Sequence, residues 1–213
     1  MTKTPEISFA QTKQERSKKT LEDLIQTAHD LVEGGDPELF TSRTLSKKAG
    51  YSLGTLNKRL TSVDKIFLWA IKKGQQKHLA EMSKIIENFD STQPLHTLLE
   101  TLVDAAFSKI KKVGPKVMRF YDDRIKKFSS NNDQHHFPDV LVEPFLKAIK
   151  KDQTQTFRNT TEDELKLILR TTAIFIERPF IESEHFAGSN EHHKMAVDNL
   201  MRLLSKKDSI GAW

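Results

Sequence analysis

The chain contains no cysteine, which excludes disulfide scaffolds, cysteine-ligated zinc and thiol catalysis. Long apolar runs are missing too. No stretch approaches the roughly 18 apolar residues that a membrane span requires, and no basic segment followed by an apolar run opens the chain as a secretory leader would. A reducing, cytoplasmic setting is therefore expected, with no membrane partner. Several catalytic signatures are also absent: there is no Gly-x-Ser-x-Gly elbow, no phosphate-cradling glycine loop and no carboxylate pair in an identifiable cleft. An enzyme is not expected. The histidine pairs His135-His136 and His192-His193, with His185, are the only hint of a metal. Adjacent histidines point to different sides of a helix and no His-Glu-x-x-His spacing occurs, so neither a metal site nor a cofactor is expected.

What the chain does have is charge, unevenly placed. Of the net +5 over 213 residues, nearly all is N-terminal: residues 1–75 hold 13 Lys and Arg against 9 Asp and Glu. From Leu39 to Val63 there are five cations, Arg43, Lys47, Lys48, Lys58 and Arg59, and no carboxylate. Such a stretch is either a solvated basic face or a surface turned toward phosphates. The length and this asymmetry favour a small domain joined to a larger one.

Residues 1–14 are polar and aperiodic and read as a disordered arm. From Glu15 to Glu33 the apolar residues Leu21, Leu24, Ile25, Ala28, Leu31 and Val32 recur at helical spacing, and Gly34-Gly35 with Asp36-Pro37 ends that helix. Thr41 is placed to cap the next helix, which turns Leu45 and Ala49 inward and Arg43, Lys47 and Lys48 outward. Gly50 stops it. Ser52 caps again after only Gly50-Tyr51, so two short helices must meet at a sharp angle, which is helix-turn-helix geometry. In the second of them Leu56 and Leu60 bury one face, while Leu53, Thr55, Asn57, Lys58 and Arg59 occupy the other. Gly54 is unfavourable inside a helix, by about 1 kcal/mol relative to alanine. A close backbone approach, to a neighbouring helix or to DNA, would account for it.

The run Ala49-Gly50-Tyr51-Ser52-Leu53-Gly54-Thr55-Leu56, with Thr41 and Leu45-Ser46 before it and Ser62, Asp64, Ile66 and Phe67 after it, resembles the DNA-binding domain of the tetracycline-repressor-like (TetR) family. The resemblance covers about 55 residues with the first helix included. It implies DNA contact through Thr41, Arg43, Ser52, Leu53, Gly54, Thr55, Asn57, Lys58, Arg59 and Lys65. Two departures from the family pattern matter: Asn57 stands where the family has tyrosine, and Val63 where it has lysine. Both family residues commonly touch phosphates, so those contacts are expected to move to Lys58, Arg59 and Lys65. Asparagine can also bond a phosphate or read adenine.

Beyond Ser62 a long helix is expected through Ile66, Phe67, Ala70, Ile71, Leu79, Met82, Ile85, Ile86 and Phe89. Helical patterns follow over Pro94–Val113, Lys116–Phe128, Pro138–Lys151, Leu165–Phe186 with Thr161 and Glu164 as a capping box, and Asn190–Lys206, with no convincing strand. Pro179 should kink or open the penultimate helix. The fold class expected is all-α: a disordered arm over 1–14, a three-helix helix-turn-helix domain over 15–73, and a larger helical ligand-sensing and dimerisation domain over 74–213.

The resemblance further implies a homodimer that binds a double-stranded DNA operator and a small-molecule effector. Candidate pocket residues are Phe107, Met118, Tyr121, Phe145 and Phe175. The last two helices carry apolar residues on more than one face, and Ile174, Phe180, Ile181, Ala196, Leu200, Leu203 and Leu204 are the candidates for the dimer interface. The leading reading is a ligand-released repressor. The alternative is an interaction protein of the same fold whose sequence-specific DNA binding is altered or lost, motivated by Asn57 and Val63.

Overall fold

The computed structural model describes residues 15–59, 62–128 and 136–206, without the side chains of residues 15–17, Arg59 and Phe128. The arm expected over 1–14 and the inward leucine expected at position 60 lie outside the described residues. Nine α-helices are described: α1 (Glu15–Glu33), α2 (Ser42–Ala49), α3 (Leu53–Arg59), α4 (Val63–Glu87), α5 (Leu95–Val113), α6 (Pro115–Phe128), α7 (Val142–Lys151), α8 (Glu162–Glu182) and α9 (Asn190–Leu204). Among the described residues the only strand-like pairing is an isolated bridge between Phe157 and Ser205. No described helix is long and apolar enough to cross a membrane.

The chain divides into two compact units. Of the described residues, one unit holds those up to Gln75 together with Lys116–Phe128, and the other holds Gln76–Pro115 and those from 136 onward. The boundary expected after residue 73 thus falls two residues later. A larger difference is α6, expected in the C-terminal domain but packed with the N-terminal helices. Its reason is a long-range apolar contact: Phe40, just before α2, stacks on Phe67 of α4 at 4.4 Å and meets Phe120 of α6 edge-on at 5.0 Å. Val117 of α6 is fully buried in the same unit. The geometry is that of favourable aromatic pairs, which add to area burial.

The rest of the first unit follows its local chemistry. Leu24, Ala28, Leu31 and Val32 bury the inner face of α1. Asp36 accepts from the Glu38 N–H to start a 3-10 turn over Pro37–Leu39. Thr41 Oγ1 accepts from the Thr44 N–H at 3.1 Å, and Gly50, at φ 74°, ends α2 in the left-handed conformation that glycine adopts without strain.

In the second unit α5 packs against α8 and α9, and α7 with the 3-10 turn Phe137–Leu141 packs against α8. Leu98, Leu99, Phe145, Leu165 and Leu204 lie at its centre. The expected helix over Pro138–Lys151 is split there, because the 3-10 turn runs to Leu141 and α7 begins at Val142. Asp139 fixes the turn by accepting from Arg170 Nε at 2.7 Å. The capping box at α8 is half formed. Thr161 Oγ1 accepts from the Glu164 N–H at 3.2 Å, but the Glu164 carboxylate pairs with Arg158. Helix α8 stops at Glu182, four residues short of the expected Phe186, on Ser183 at φ 62°.

Helix α8 also runs through Pro179 without ending there. Proline has no N–H to return to the carbonyl one turn back, which here is Phe175. His192, the fully buried third residue of α9, takes the missing donor's place: its Nε2 lies 3.3 Å from the Phe175 oxygen.

Candidate nucleic-acid interface

The turn between α2 and α3 is held from three sides. Gly50 reverses the chain, the Tyr51 N–H donates to the Ser46 carbonyl at 3.1 Å, and the Ser46 hydroxyl donates back to the Tyr51 carbonyl. The Tyr51 phenol reaches across to α1 and donates to Asp23 at 2.5 Å, and that bond holds the phenol above its ordinary pKa. Ser52 then caps α3, its Oγ accepting from the Thr55 N–H at 3.1 Å and lying 3.0 Å from the Thr55 hydroxyl. Leu45 and Leu56 are buried where the two helices meet, and Ala49 is half-buried. Ser46, Tyr51 and Asp23 were not among the sequence candidates. No local pattern marks them, because Asp23 is 28 residues from Tyr51 and its part is set by the fold.

The face left outward is basic and free of carboxylates. Thr41, Arg43, Lys47 and Lys48 of the α2 segment are exposed, as are Ser52, Leu53, Gly54, Asn57 and Lys58 of the α3 segment. Thr55 is half-buried, and the side chain of Arg59 lies outside the described residues. Lys65, in the first turn of α4, is half-buried. The described α2 and α3 candidates are thus exposed, apart from the half-buried Thr55. The first carboxylate after the basic stretch, Asp64, lies 3.2 Å from Arg124 Nε of α6, an ion pair whose alignment falls short of a hydrogen bond. Arg124 is a residue sequence reasoning could not place here, because α6 lies 60 positions downstream.

Of the pocket candidates, Met118 and Tyr121 belong to α6 in the first unit, whereas Phe107, Phe145 and Phe175 belong to the second. Phe107 and Phe175 do share a neighbour: their rings lie 4.8 and 5.9 Å from that of His192, which Phe180 and Phe186 also flank at 5.7 and 5.5 Å. Phe145 is buried in the core of the second unit. A shallow cleft of about 60 Å³ opens elsewhere in that unit, beside Ile86, Phe89, Lys147, Lys151 and Phe157, and contains none of the expected residues.

The interface candidates need correction. Phe180, Ala196, Leu200 and Leu204 are buried inside the second unit's own core, so they have no surface to offer a second copy. Ile181 and Leu203 are half-buried, and Ile174 is 42 % exposed. The apolar residues that remain outward on α8 and α9 are Leu167 at 62 %, Ile174, and Met195 at 44 %. Leu167 and Ile174, seven apart, share one stripe of α8. The sequence could not separate these stripes because α8 and α9 each carry apolar residues on more than one side.

No protein-family model and no curated protein matches the chain. Solved structures do. A TetR-family transcriptional regulator from Mesorhizobium loti superposes with a TM-score of 0.62 at 12 % identity, over 91 % of this chain and 100 % of that one. A TetR-family transcriptional regulator from Streptomyces coelicolor gives 0.54 at 12 % identity, over 87 % and 79 %. A transcriptional regulator from Saccharomonospora viridis in complex with choline gives 0.54 at 13 % identity, over 89 % and 100 %. On helix order, the capped α2–α3 turn and these superpositions, the chain has the fold of the TetR-family regulators: all-α, a helix-turn-helix unit with a larger helical unit.

Proposed function

We propose that this protein is a dimeric DNA-binding transcriptional regulator, a repressor that leaves a near-palindromic operator when a small molecule binds. The observation that carries the reading is the outward face of α2 and α3: four exposed cations, Arg43, Lys47, Lys48 and Lys58, beside a rigidly capped helix with no carboxylate among them. Helix-turn-helix proteins place the second helix in the major groove, and two copies reach half-sites about one helical turn apart. Leu167 and Ile174 of α8, with Met195 of α9, are the apolar surface available for pairing two chains.

The path from effector to DNA runs through chain connectivity. The chain leaves the second unit at Gly114-Pro115, contributes α6 to the DNA-facing unit, and returns after Phe128. An effector with different affinity for two arrangements of the second unit would shift the population seen by DNA. The choline of the S. viridis protein supports a small-molecule effector. The DNA-facing domain spans residues 15–73 with α6 added to it, and the setting is the cytoplasm.

The test is salt-dependent binding of the full-length protein to its own upstream region and to random DNA. Two copies of the four cations supply up to about eight phosphate contacts, so affinity should fall on the order of 10³- to 10⁵-fold between 50 and 200 mM salt. Absence of any preference over random DNA at physiological salt would refute the reading and favour a protein that uses this fold for protein contacts.

A further inference from the structure

We infer that Leu53, Gly54 and Asn57 form a reading strip that selects A·T base pairs in the major groove, with the α3 backbone itself approaching the DNA at Gly54. This rests on the DNA-binding reading above and names what that site recognises.

Gly54 is the starting point because nothing in the described protein requires a glycine there. Its φ is not in the left-handed region, and a Cβ built on it would meet only Ser52 Oγ, at 3.7 Å, an ordinary contact. Gly188 shows the contrast: its φ is 77° and a Cβ there would lie 3.0 Å from the Phe180 ring. Of the two explanations for a glycine inside α3, close approach to a neighbouring helix is excluded among the described residues. Approach to DNA is the explanation that the exposed residues beside Gly54 support. A missing side chain on the exposed face lets the helix axis sit nearer a partner surface.

The residues beside Gly54 define what that surface would be. Leu53 and Asn57 are four apart and so lie one above the other on the helix; Gly54 and Lys58 form the adjacent pair. Leu53 is an apolar side chain left 44 % exposed, and the thymine C5-methyl is the apolar group that the major groove offers. Asn57 presents a donor and an acceptor side by side, the pattern that matches adenine N6 and N7. The hydroxyls of Ser52 and Thr55 bond to each other and Ser52 also caps α3, which leaves at most one of their two O–H groups to meet a base. The strip contains no guanidinium, the group that most often selects guanine, and Lys58 beside it is suited to a phosphate.

The experiment is selection of full-length protein on a random DNA library, followed by affinity measurements on the selected site. Wild type should select half-sites holding A·T pairs whose change to G·C weakens binding about 5- to 150-fold. Asn57→Ala should lose that discrimination at one position. Leu53→Ala should become indifferent to replacement of a half-site thymine by uracil, which removes only the methyl, whereas wild type should weaken. Gly54→Ala should melt at or above the wild-type temperature yet bind about tenfold or more weakly. Lys58→Ala, as the comparison, should weaken all sequences alike. If wild type selects a site but Gly54→Ala and Asn57→Ala bind it as wild type does, or if the selected positions are G·C, the strip is wrong and DNA binding stands. If wild type selects no sequence, the DNA-binding reading fails and the strip with it.

Discussion

Replacing His192 with leucine should destabilise the second unit by about 2–4 kcal/mol while leaving its volume nearly filled. The magnitude follows from two backbone groups. The neutral imidazole accepts from the Gly188 N–H through Nδ1 at 3.2 Å and donates from Nε2 to the Phe175 carbonyl at 3.3 Å, which Pro179 has deprived of its helical donor. Each group left without a partner away from water costs about 1–3 kcal/mol, and both sites are only partly buried, so the lower half of that range applies to each. At roughly 3–5 °C per kcal/mol for a unit of this size, the melting temperature should fall by about 6–20 °C. The effect should also depend on pH. Protonation would place a second N–H on Nδ1 facing the Gly188 N–H, and burial, aided by the nearby His193, holds the His192 pKa below its usual value. Asp104, 2.8 Å from His193 Nε2, and Lys111, near Gly188, are the charged groups of α5 that face this corner. Because the folded pKa lies below that of the unfolded chain, the unfolded state takes up the proton first, and the contribution of His192 is lost as pH falls through and below about 6.5. His78 has its pKa lowered by burial and by Lys109 and acts with the same sign, but it is common to both proteins. Urea denaturation of wild type and variant between pH 7.5 and 5 would therefore show a stability gap that narrows on acidification. A gap under 0.5 kcal/mol at pH 7.5, on the order of an ordinary surface substitution, or one that stays constant with pH, would refute this account.

Phe40→Ala should remove a ring at 6 % exposure together with two aromatic pairs, at a cost of about 3–5 kcal/mol, and detach α6 from the first unit; Phe40→Leu should cost under about 1.5 kcal/mol, both read by denaturation monitored at Trp69. Arg124→Gln should change stability by less than about 1 kcal/mol, since the ion pair with Asp64 is about one-third exposed, yet weaken DNA binding at low salt by leaving a carboxylate unneutralised beside the basic face; the double variant with Asp64→Asn should recover it, and unchanged binding by Arg124→Gln would contradict the assignment. Leu167→Glu with Ile174→Glu should shift a dimer toward monomer in sedimentation without lowering the melting temperature of the isolated chain, whereas a fold-disrupting effect would place those side chains in the core.

The helices, their caps and the basic face of α2 and α3 were legible in the sequence, because each is set by residues within a few positions of one another. Thr41, Gly50, Ser52 and Thr161 perform in the structure the capping or stopping role their side chains suggest, since a cap needs only a hydroxyl or a missing Cβ at the right place in one turn. The break between the 3-10 turn and α7 was not legible, as it depends on Arg170 holding Asp139 from another helix. Membership of α6 in the first unit, the bond from Tyr51 to Asp23, the division of the apolar residues of α8 and α9 between core and surface, and the rescue of the Phe175 carbonyl by His192 all join residues far apart in the chain. Periodicity tells which residues share a helical stripe but not which neighbour covers it. Local chemistry thus determined the elements and the basic character of the exposed α2 and α3 residues, while tertiary packing alone decided which apolar stripes were already covered and which polar groups found distant partners.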